Sequence, residues 1–234
     1  MSLAVDAISN SGDLTSVSSA TWSHTCAGSN LILVVGANAR GQKSNTNTTV
    51  TGVTYNGVAL TKIRGDTSDS GDTFRGRSEL WYLIAPATGT HSIVVTYTGS
   101  VEATGCGAVS FTGAMQSAGA IDSHNGAVAN TDTTPSVAVT VVAENCYLVD
   151  TIYSRSDTLV KDASQTTIMA IASNGGGDDS AMTYKVSPGT GVQVMAWTSG
   201  AEESALSAVA IAPSATAIYQ PRMGFVNHSN PGIV

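Results

Sequence analysis

The sequence predicts an all-β fold, and three observations carry that prediction. Short apolar segments recur throughout the chain, and turn-forming Gly, Asn, Asp and Ser residues separate them at the spacing of about 8 to 12 residues typical of a sandwich or barrel. No stretch of ten or more residues shows apolar side chains at helical spacing between capping residues. Hydrophobic residues make up 42% of the 234 residues and charged ones only 12%. That composition excludes a disordered chain and a coiled coil.

The chain contains twelve predicted strands, six in each half. Residues 31–37 (LILVVGA) are apolar on both faces, as in a central strand that is covered on each side. Asn56 and Gly57 predict a tight hairpin, because both residues tolerate positive φ. The predicted strands are residues 31–37, 49–55, 58–63, 78–85, 92–98, 105–112, 136–142, 146–153, 166–172, 181–186, 192–198 and 205–212.

Two pairs of segments resemble each other within the chain. Residues 30–40 align without gaps with residues 145–155, with Asn and Arg at matching ends. The segments that begin at Pro86 and Pro188 share the same order of features. Each has a turn that contains Pro and Gly, then an apolar strand, a loop with Gly and Glu, and a strand of small residues. We expect two similar halves that interleave as Greek keys in a single jelly-roll-like antiparallel β-sandwich over residues 1–212. Chance similarity between strands of like composition is the alternative.

The charge distribution and the N-terminal sequence restrict the partners. The net charge is −7, and the ten Lys and Arg residues are scattered singly, which argues against a nucleic-acid partner. No apolar run approaches the roughly 18 residues that a membrane-spanning helix needs. Residues 1–10 lack the basic and apolar regions of a signal peptide. We expect neither a nucleic-acid partner nor a membrane partner.

The residues that carry chemistry predict no enzyme. No GxSxG motif is present. The histidines are far apart without the spacing of a zinc site, and we expect them to be scattered over the surface: His24, His91, His124 and His228. Glu79 lies in an apolar strand beside Trp81, and we expect it either to face an edge or to form an ion pair, with Arg77 or Arg75 as the partner.

The cysteines predict buried free thiols, because their number is odd and they lack CxxC spacing. One disulfide and one free thiol among Cys26, Cys106 and Cys146 is the alternative. Asp66, Asp69 and Asp72 lie in one Gly-rich loop. Carboxylates suit calcium, but the spacing is not that of an EF-hand, and such loops more often simply turn the chain. We expect no cofactor, with calcium at this loop as the alternative.

Carbohydrate binding needs an exposed aromatic ring that stacks on a sugar. Trp81 and Tyr82 lie in a strand that is apolar on both faces, so we expect them in a core or an interface. Trp22 lies among polar residues and is the best candidate for an exposed sugar-binding ring.

Three segments resemble a β-sandwich module that recurs in phage virion proteins, such as capsid decoration (cement) and fibre proteins, and in large bacterial surface proteins. They are residues 53–63 (VTYNGVALTKI), 78–100 (SELWYLIAPATGTHSIVVTYTGS) and 107–114 (GAVSFTGA). The resemblance covers most of residues 3–213. Its motifs are turn and strand signatures that specify fold more than function. It implies a structural or adhesive role. We expect the protein in a virion assembled in the host cytoplasm or, alternatively, outside the cell or at its surface.

Residues 213–234 depart from this module and are predicted to form an extended C-terminal arm, with Arg222 as its only charge. We expect the arm to pack on a neighbouring subunit, by adding a strand to an exposed edge. A tail folded back on its own sandwich, or disorder, is the alternative. The side chains expected to bind the partner are Ile218, Tyr219, Pro221, Met223, Phe225 and Val226.

Two functions from different classes follow. The first is a non-enzymatic capsid decoration protein that forms a symmetric homo-oligomer and contacts other virion structural proteins. We prefer decoration to a fibre role, because the sequence shows no coiled-coil or collagen-like repeat. The alternative is a carbohydrate-binding or adhesion module of a surface or tail-fibre protein.

Overall fold

A computed structural model describes residues 2–42, 44, 48–69, 74–156, 158–172 and 179–214. It confirms the predicted all-β fold of antiparallel sheets, with one short 3-10 turn at Ala118–Ala120. The described residues include no helix with the length and apolarity needed to cross a membrane. The strands are β1 (Ala4–Cys26), β2 (Ile32–Gln42), β3 (Val50–Tyr55), β4 (Val58–Ala59), β5 (Thr61–Ser68), β6 (Phe74–Ile84), β7 (Gly89–Thr112), β8 (Ile121–Asp132), β9 (Ser136–Val141), β10 (Tyr147–Ser154), β11 (Val160–Lys161), β12 (Thr166–Ala172), β13 (Asp179–Val186), β14 (Gly191–Thr198) and β15 (Glu202–Ile211).

Strands β1 to β7 form a first repeat with two layers. One layer contains strands in the order β5-β6-β2-β7, with β1 paired to the far side of β7. Strands β1 and β7 continue into the second layer, where β3 pairs with the first part of β7. Side chains between the layers form the first core, for example Leu33, Val35, Tyr55 and Ile93.

Strands β8 to β15 form a second repeat with the same arrangement. A five-stranded sheet has the order β12-β13-β10-β15-β8, and a three-stranded sheet has the order β11-β14-β9. Leu148, Ile152, Met195 and Trp197 belong to the core between these two sheets. Each strand of the second repeat therefore has a counterpart in the first, with β8 and β9 matching β1 and with β14 and β15 matching β7.

The internal similarity seen in the sequence thus corresponds to a structural repeat. Asn30 and Asn145, at matching ends of the aligned segments, both adopt left-handed backbone with φ of 51° and 58°. Gly89 and Gly191, at matching positions after Pro86 and Pro188, have φ of 105° and 93°. These shared turn conformations make chance similarity an inadequate explanation.

The arrangement of the repeats differs from the single interleaved sandwich that we expected. Each described strand pairs only within its own repeat, and an isolated bridge joins Ala114 to Pro213. The larger sheets of the two repeats instead pack face to face and bury a third core. The reason lies in β2, where Leu33 and Val35 face their own repeat while Ile32 and Val34 face the other one. Each half therefore covers one apolar face by itself and the other with its neighbour.

Two glycines on adjacent strands allow the larger sheets to approach closely. Gly36 and Gly107 are cross-strand partners on β2 and β7. A Cβ atom on Gly36 would lie 2.9 Å from the Cβ of Thr151, and one on Gly107 would lie 2.9 Å from the Sδ of Met182. The Asn38 side-chain amide donates a hydrogen bond of 2.9 Å to the Thr151 hydroxyl across this contact. The interface between the repeats is therefore both tightly packed and specifically hydrogen-bonded.

Candidate functional site

His24 is the centre of a hydrogen-bond network in the first repeat. Its Nδ1 lies 2.7 Å from Ser9 Oγ, and its Nε2 lies 3.1 Å from Ser110 Oγ. Ser110 Oγ donates to Asp6 at 2.7 Å, and the Trp22 indole N–H donates to Ser9 Oγ at 3.0 Å. Burial lowers the pKa of His24 to about 4, and the nearby charge of Asp6 acts in the opposite direction. The imidazole is therefore neutral near pH 7.

The residue types of this network occur in hydrolases, but its geometry differs from theirs. A catalytic serine usually lies on a sharp turn, and its histidine base is oriented by a third group. Here Ser9 lies within β1, paired with Ala108, and its hydroxyl also accepts the indole N–H. Ser110 separates His24 from the Asp6 carboxylate. We interpret the network as a link that holds β1 against β7.

The expectation that the histidines lie on the surface is wrong for His24, whose exposed fraction is 2%. Alternation along β1 contained the signal, because Ala20, Trp22, His24 and Cys26 share one face and all are buried. The same finding corrects the expectation for Trp22, which is 9% exposed. Its ring packs in the first core, so the ring face that a sugar would stack on is covered.

Glu79 is a fully buried carboxylate in the first repeat. Arg77 Nη1 donates to one carboxylate oxygen at 2.6 Å, which confirms the expected ion pair. The other oxygen lies 2.9 Å from Lys62 Nζ and accepts the Trp81 indole N–H at 3.1 Å. Arg75 instead lies 3.3 Å from Asp69. Both oxygens of Glu79 are thus occupied by donors, unlike a glycosidase carboxyl group that faces a second one across a sugar.

Asp150 is a buried acid of the second repeat that sequence reasoning missed, and it aligns with Val35 rather than with Glu79. It accepts hydrogen bonds from the Thr183 N–H at 3.1 Å, the Thr183 hydroxyl at 2.5 Å and the Trp197 indole N–H at 2.7 Å. Burial raises the pKa of Asp150 to about 6, and these hydrogen bonds only partly oppose the shift. An Asp within the apolar run of residues 146–153 was the available signal. The carboxyl group joins the two sheets of this repeat through Trp197.

A cavity of about 300 Å³ lies beside Trp197 in the second repeat. That volume is at the lower end for small-molecule pockets. One of its polar groups, the Asp179 carboxylate, accepts a hydrogen bond of 3.2 Å from the Leu159 N–H. Most of the side chains that line the cavity are apolar. The lining includes Leu159, Val160, Lys161, Met169, Ile171, Asp179 and Trp197.

The three residues considered for calcium binding, Asp66, Asp69 and Asp72, do not share one site among the described residues. Asp66 accepts two hydrogen bonds of 2.7 Å from Arg64 and one of 2.5 Å from the Ser207 hydroxyl of the second repeat. Asp69 lies beside Arg75, and Asp72 lies outside the described residues. The described part of the chain holds no group of three or more His, Cys, Asp and Glu residues arranged for a metal ion. Asp66 therefore connects the two repeats.

The three cysteines are buried and carry free thiols, as we predicted. Burial raises the pKa of all three, with that of Cys146 reaching about 12. Low thiolate content and low access both make such groups unreactive.

The residues predicted to bind a partner through the arm lie outside the described residues: Ile218, Tyr219, Pro221, Met223, Phe225 and Val226. The described chain ends at Ser214, whose N–H donates to the Gly113 carbonyl at 2.7 Å. Gly113 belongs to the connection between the repeats. Ser214, the last described residue, therefore lies where the two repeats meet.

Exposed apolar side chains are concentrated on the second repeat. Of the eight large ones among the described residues, Ile8 and Val58 lie in the first repeat, and six lie in the second. On the outer face of its smaller sheet, Val192 pairs with Thr140 and Val194 pairs with Ala138. The six residues of the second repeat are Val128, Val142, Val160, Val186, Val192 and Val194.

We define the valine face as Ala138, Val142, Val192 and Val194, which are exposed on β9 and β14 and just after β9. Thr140, which pairs with Val192, is exposed on the same side of the sheet and is uncharged. An exposed apolar face of this kind is typical of a protein-binding surface, so it is our candidate functional site.

Comparison of the chain with known protein families, with curated proteins and with solved structures finds no match.

Proposed function

We propose that this chain is a non-enzymatic structural protein of a virion, a capsid decoration protein that assembles as a symmetric oligomer through its C-terminal arm. One observation carries the assembly part of this proposal. Six of the eight large exposed apolar side chains among the described residues lie on one repeat, although the two repeats share the same fold. Subunit contacts bury apolar area of this kind.

The polar interior agrees with a structural role. His24, Glu79 and Asp150 each bond to side chains of their own repeat, and in each case an indole N–H belongs to the network. These groups hold strands and sheets together, so they support stability without a catalytic task. The virion part of the proposal rests on the resemblance of residues 53–63, 78–100 and 107–114 to virion modules.

Deletion of residues 215–234 tests the role of the arm. The three cores lie within residues 3–212, so the shortened chain is expected to fold with a thermal midpoint close to that of the full chain. We expect light scattering to show a multiple of the chain mass for the full protein and a monomer after the deletion. An oligomer of unchanged mass would refute the role of the arm. Glycan binding by a monomeric full chain would instead favour the adhesion module.

A further inference from the structure

We propose that the valine face of one copy binds residues 217–226 of the arm of a neighbouring copy. This inference rests on the proposed function and identifies the surface on which the arm docks.

The two repeats provide an internal comparison for this surface. Strand β14 corresponds to the first part of β7 and β9 to the last part of β1, so each residue of the valine face on these strands has a counterpart in the first repeat. The counterparts are exposed as well, but they carry hydroxyl groups. The fold therefore does not require apolar side chains here. The pairs are Val192 and Thr90, Val194 and Ser92, and Ala138 and Ser23.

Among the described residues, the edge of β14 beside this face is only partly covered. In the first repeat, β3 pairs with five residues of β7, whereas β11 pairs with only two residues at the end of β14. Towards the start of β14, Ala196 bonds to Asp162 and Gln165, and the Lys185 ammonium donates to the Val194 carbonyl. The first residues of β14 thus lie beside an edge that a further strand can extend.

The arm starts at the same end of the second repeat. Ile211, at the end of β15, pairs with Ile121 at the start of β8. The next residue, Asp122, accepts a hydrogen bond of 2.7 Å from the Val142 N–H, which places one end of the valine face close by. Residues 215 and 216 alone separate Ser214 from the docking segment, and the twelve residues that reach Val226 span roughly 40 Å when extended. The neighbouring copy must therefore present its valine face close to Ser214.

The chemistry of the arm matches that of the face. Residues 217–226 (AIYQPRMGFV) contain aromatic and aliphatic side chains with Arg222 as their only charge. Such residues are favoured where an interface is fully buried. Pro221 lacks a backbone donor, so we expect the segments on either side of it to supply the added strand.

Cross-linking between full-length chains tests the proposal. One protein carries Val194→Cys, and a second carries a single cysteine at one of residues 217–226, each position being tried in turn. The exposed fraction of every native cysteine is 1% or less, so the new thiols react selectively. With oxidised glutathione as the oxidant, we expect a mixed disulfide dimer about ten-fold or more above the control, since docking raises the local thiol concentration. The control is Val128→Cys, 56% exposed on β8.

A second variant, Val192→Thr with Val194→Ser, copies the first repeat and so is expected to fold normally. We expect it to weaken the oligomer about ten-fold or more, the loss typical of a buried apolar contact. The inference is overturned, while the proposed function stands, if deletion of residues 215–234 dissociates the oligomer but the other two experiments fail. Failure means that the Val192→Thr, Val194→Ser variant assembles like the wild type and that the cross-links are no stronger than those of Val128→Cys. The arm then docks elsewhere. A further chain carries both new cysteines, at residue 194 and in the arm. If its disulfide forms only within one chain, the arm binds its own copy, and binding between copies is overturned. An oligomer that survives the deletion would overturn the proposed function.

Discussion

Gly36 and Thr151 hold equivalent positions in the two repeats and pack directly against each other. A Cβ atom on Gly36 would lie 2.9 Å from both the Cβ and the Oγ1 of Thr151. The larger sheets thus meet at their matching central strands, with a side chain on one strand and none on the other. The contact joins equivalent surfaces, as in a symmetric dimer, but its two sides have become different.

Substitution Gly36→Ala is expected to destabilise the protein by about 1 to 3 kcal/mol, because the added methyl group overpacks the interface. Thr151 cannot move away easily, since its hydroxyl accepts the Asn38 bond and its backbone carbonyl accepts the Ser78 hydroxyl at 2.7 Å. Urea unfolding measures the change. Gly52→Ala is the control, because a Cβ there would meet nothing within 4 Å. Equal stability of the two variants would contradict the packing argument.

Asp150 is expected to make folding more favourable at mildly acidic pH. Its pKa is raised from 3.8 to about 6, so between these values the folded protein holds a proton that the unfolded chain releases. The free energy of unfolding therefore gains about 2 kcal/mol from this group as the pH falls from 7 to about 4. Asp150→Asn should remove that gain. Urea unfolding at pH 7 and 4.5 measures it, and an unchanged difference between the two pH values would refute it.

His24 is expected to act in the opposite direction. Its pKa is lowered from 6.5 to about 4, so below pH 6.5 the unfolded chain binds a proton that the folded protein does not. The free energy of unfolding therefore loses up to about 3 kcal/mol as the pH falls towards 4. His24→Gln keeps polar atoms near Ser9 and Ser110 but removes this loss. The same unfolding series should show a smaller pH dependence for the wild type than for either single variant, because Asp150 and His24 offset each other.

Substitution Glu79→Ala is expected to cost about 3 kcal/mol or more, because it leaves Arg77 without its buried partner. Glu102→Ala is the matched control, since Glu102 lies 3.7 Å from Arg40 with 33% of its side chain exposed. A pair of that kind contributes about 1 kcal/mol or less. Thermal or urea unfolding compares the two variants. Similar losses of stability in the two variants would show that the buried ion pair of Glu79 contributes no more than the exposed one of Glu102.

Most strands were predictable because their apolar side chains are contiguous or alternate. Each of the twelve predicted segments overlaps a strand of the structure. The predicted hairpin turn is confirmed, with φ of 49° at Asn56 and 76° at Gly57. Strand β1 was missed over most of its length, and β8 entirely, because Ser, Thr, Asn and Gly fill them and no apolar run marks them.

The packing of the repeats and the buried networks could not be predicted from local patterns. An apolar residue such as Val34 shows that its face is covered, but the covering sheet is distant in the sequence. His24 bonds to Ser110, 86 residues away, and Asp150 bonds to Trp197, 47 residues away. Each of these networks depends on long-range strand registers, which the sequence pattern does not specify.

The length of β1 and β7 has a mechanical consequence. In the first repeat these strands, of 23 and 24 residues, run through both layers, so one layer cannot open without pulling on the other. In the second repeat, the path of β1 is divided into β8 and β9, and the path of β7 is divided into β14 and β15. Its smaller sheet is therefore held to the larger one by side-chain contacts, such as the hydrogen bond between Asp150 and Trp197, and not by continuous strands. The valine face lies on this smaller sheet.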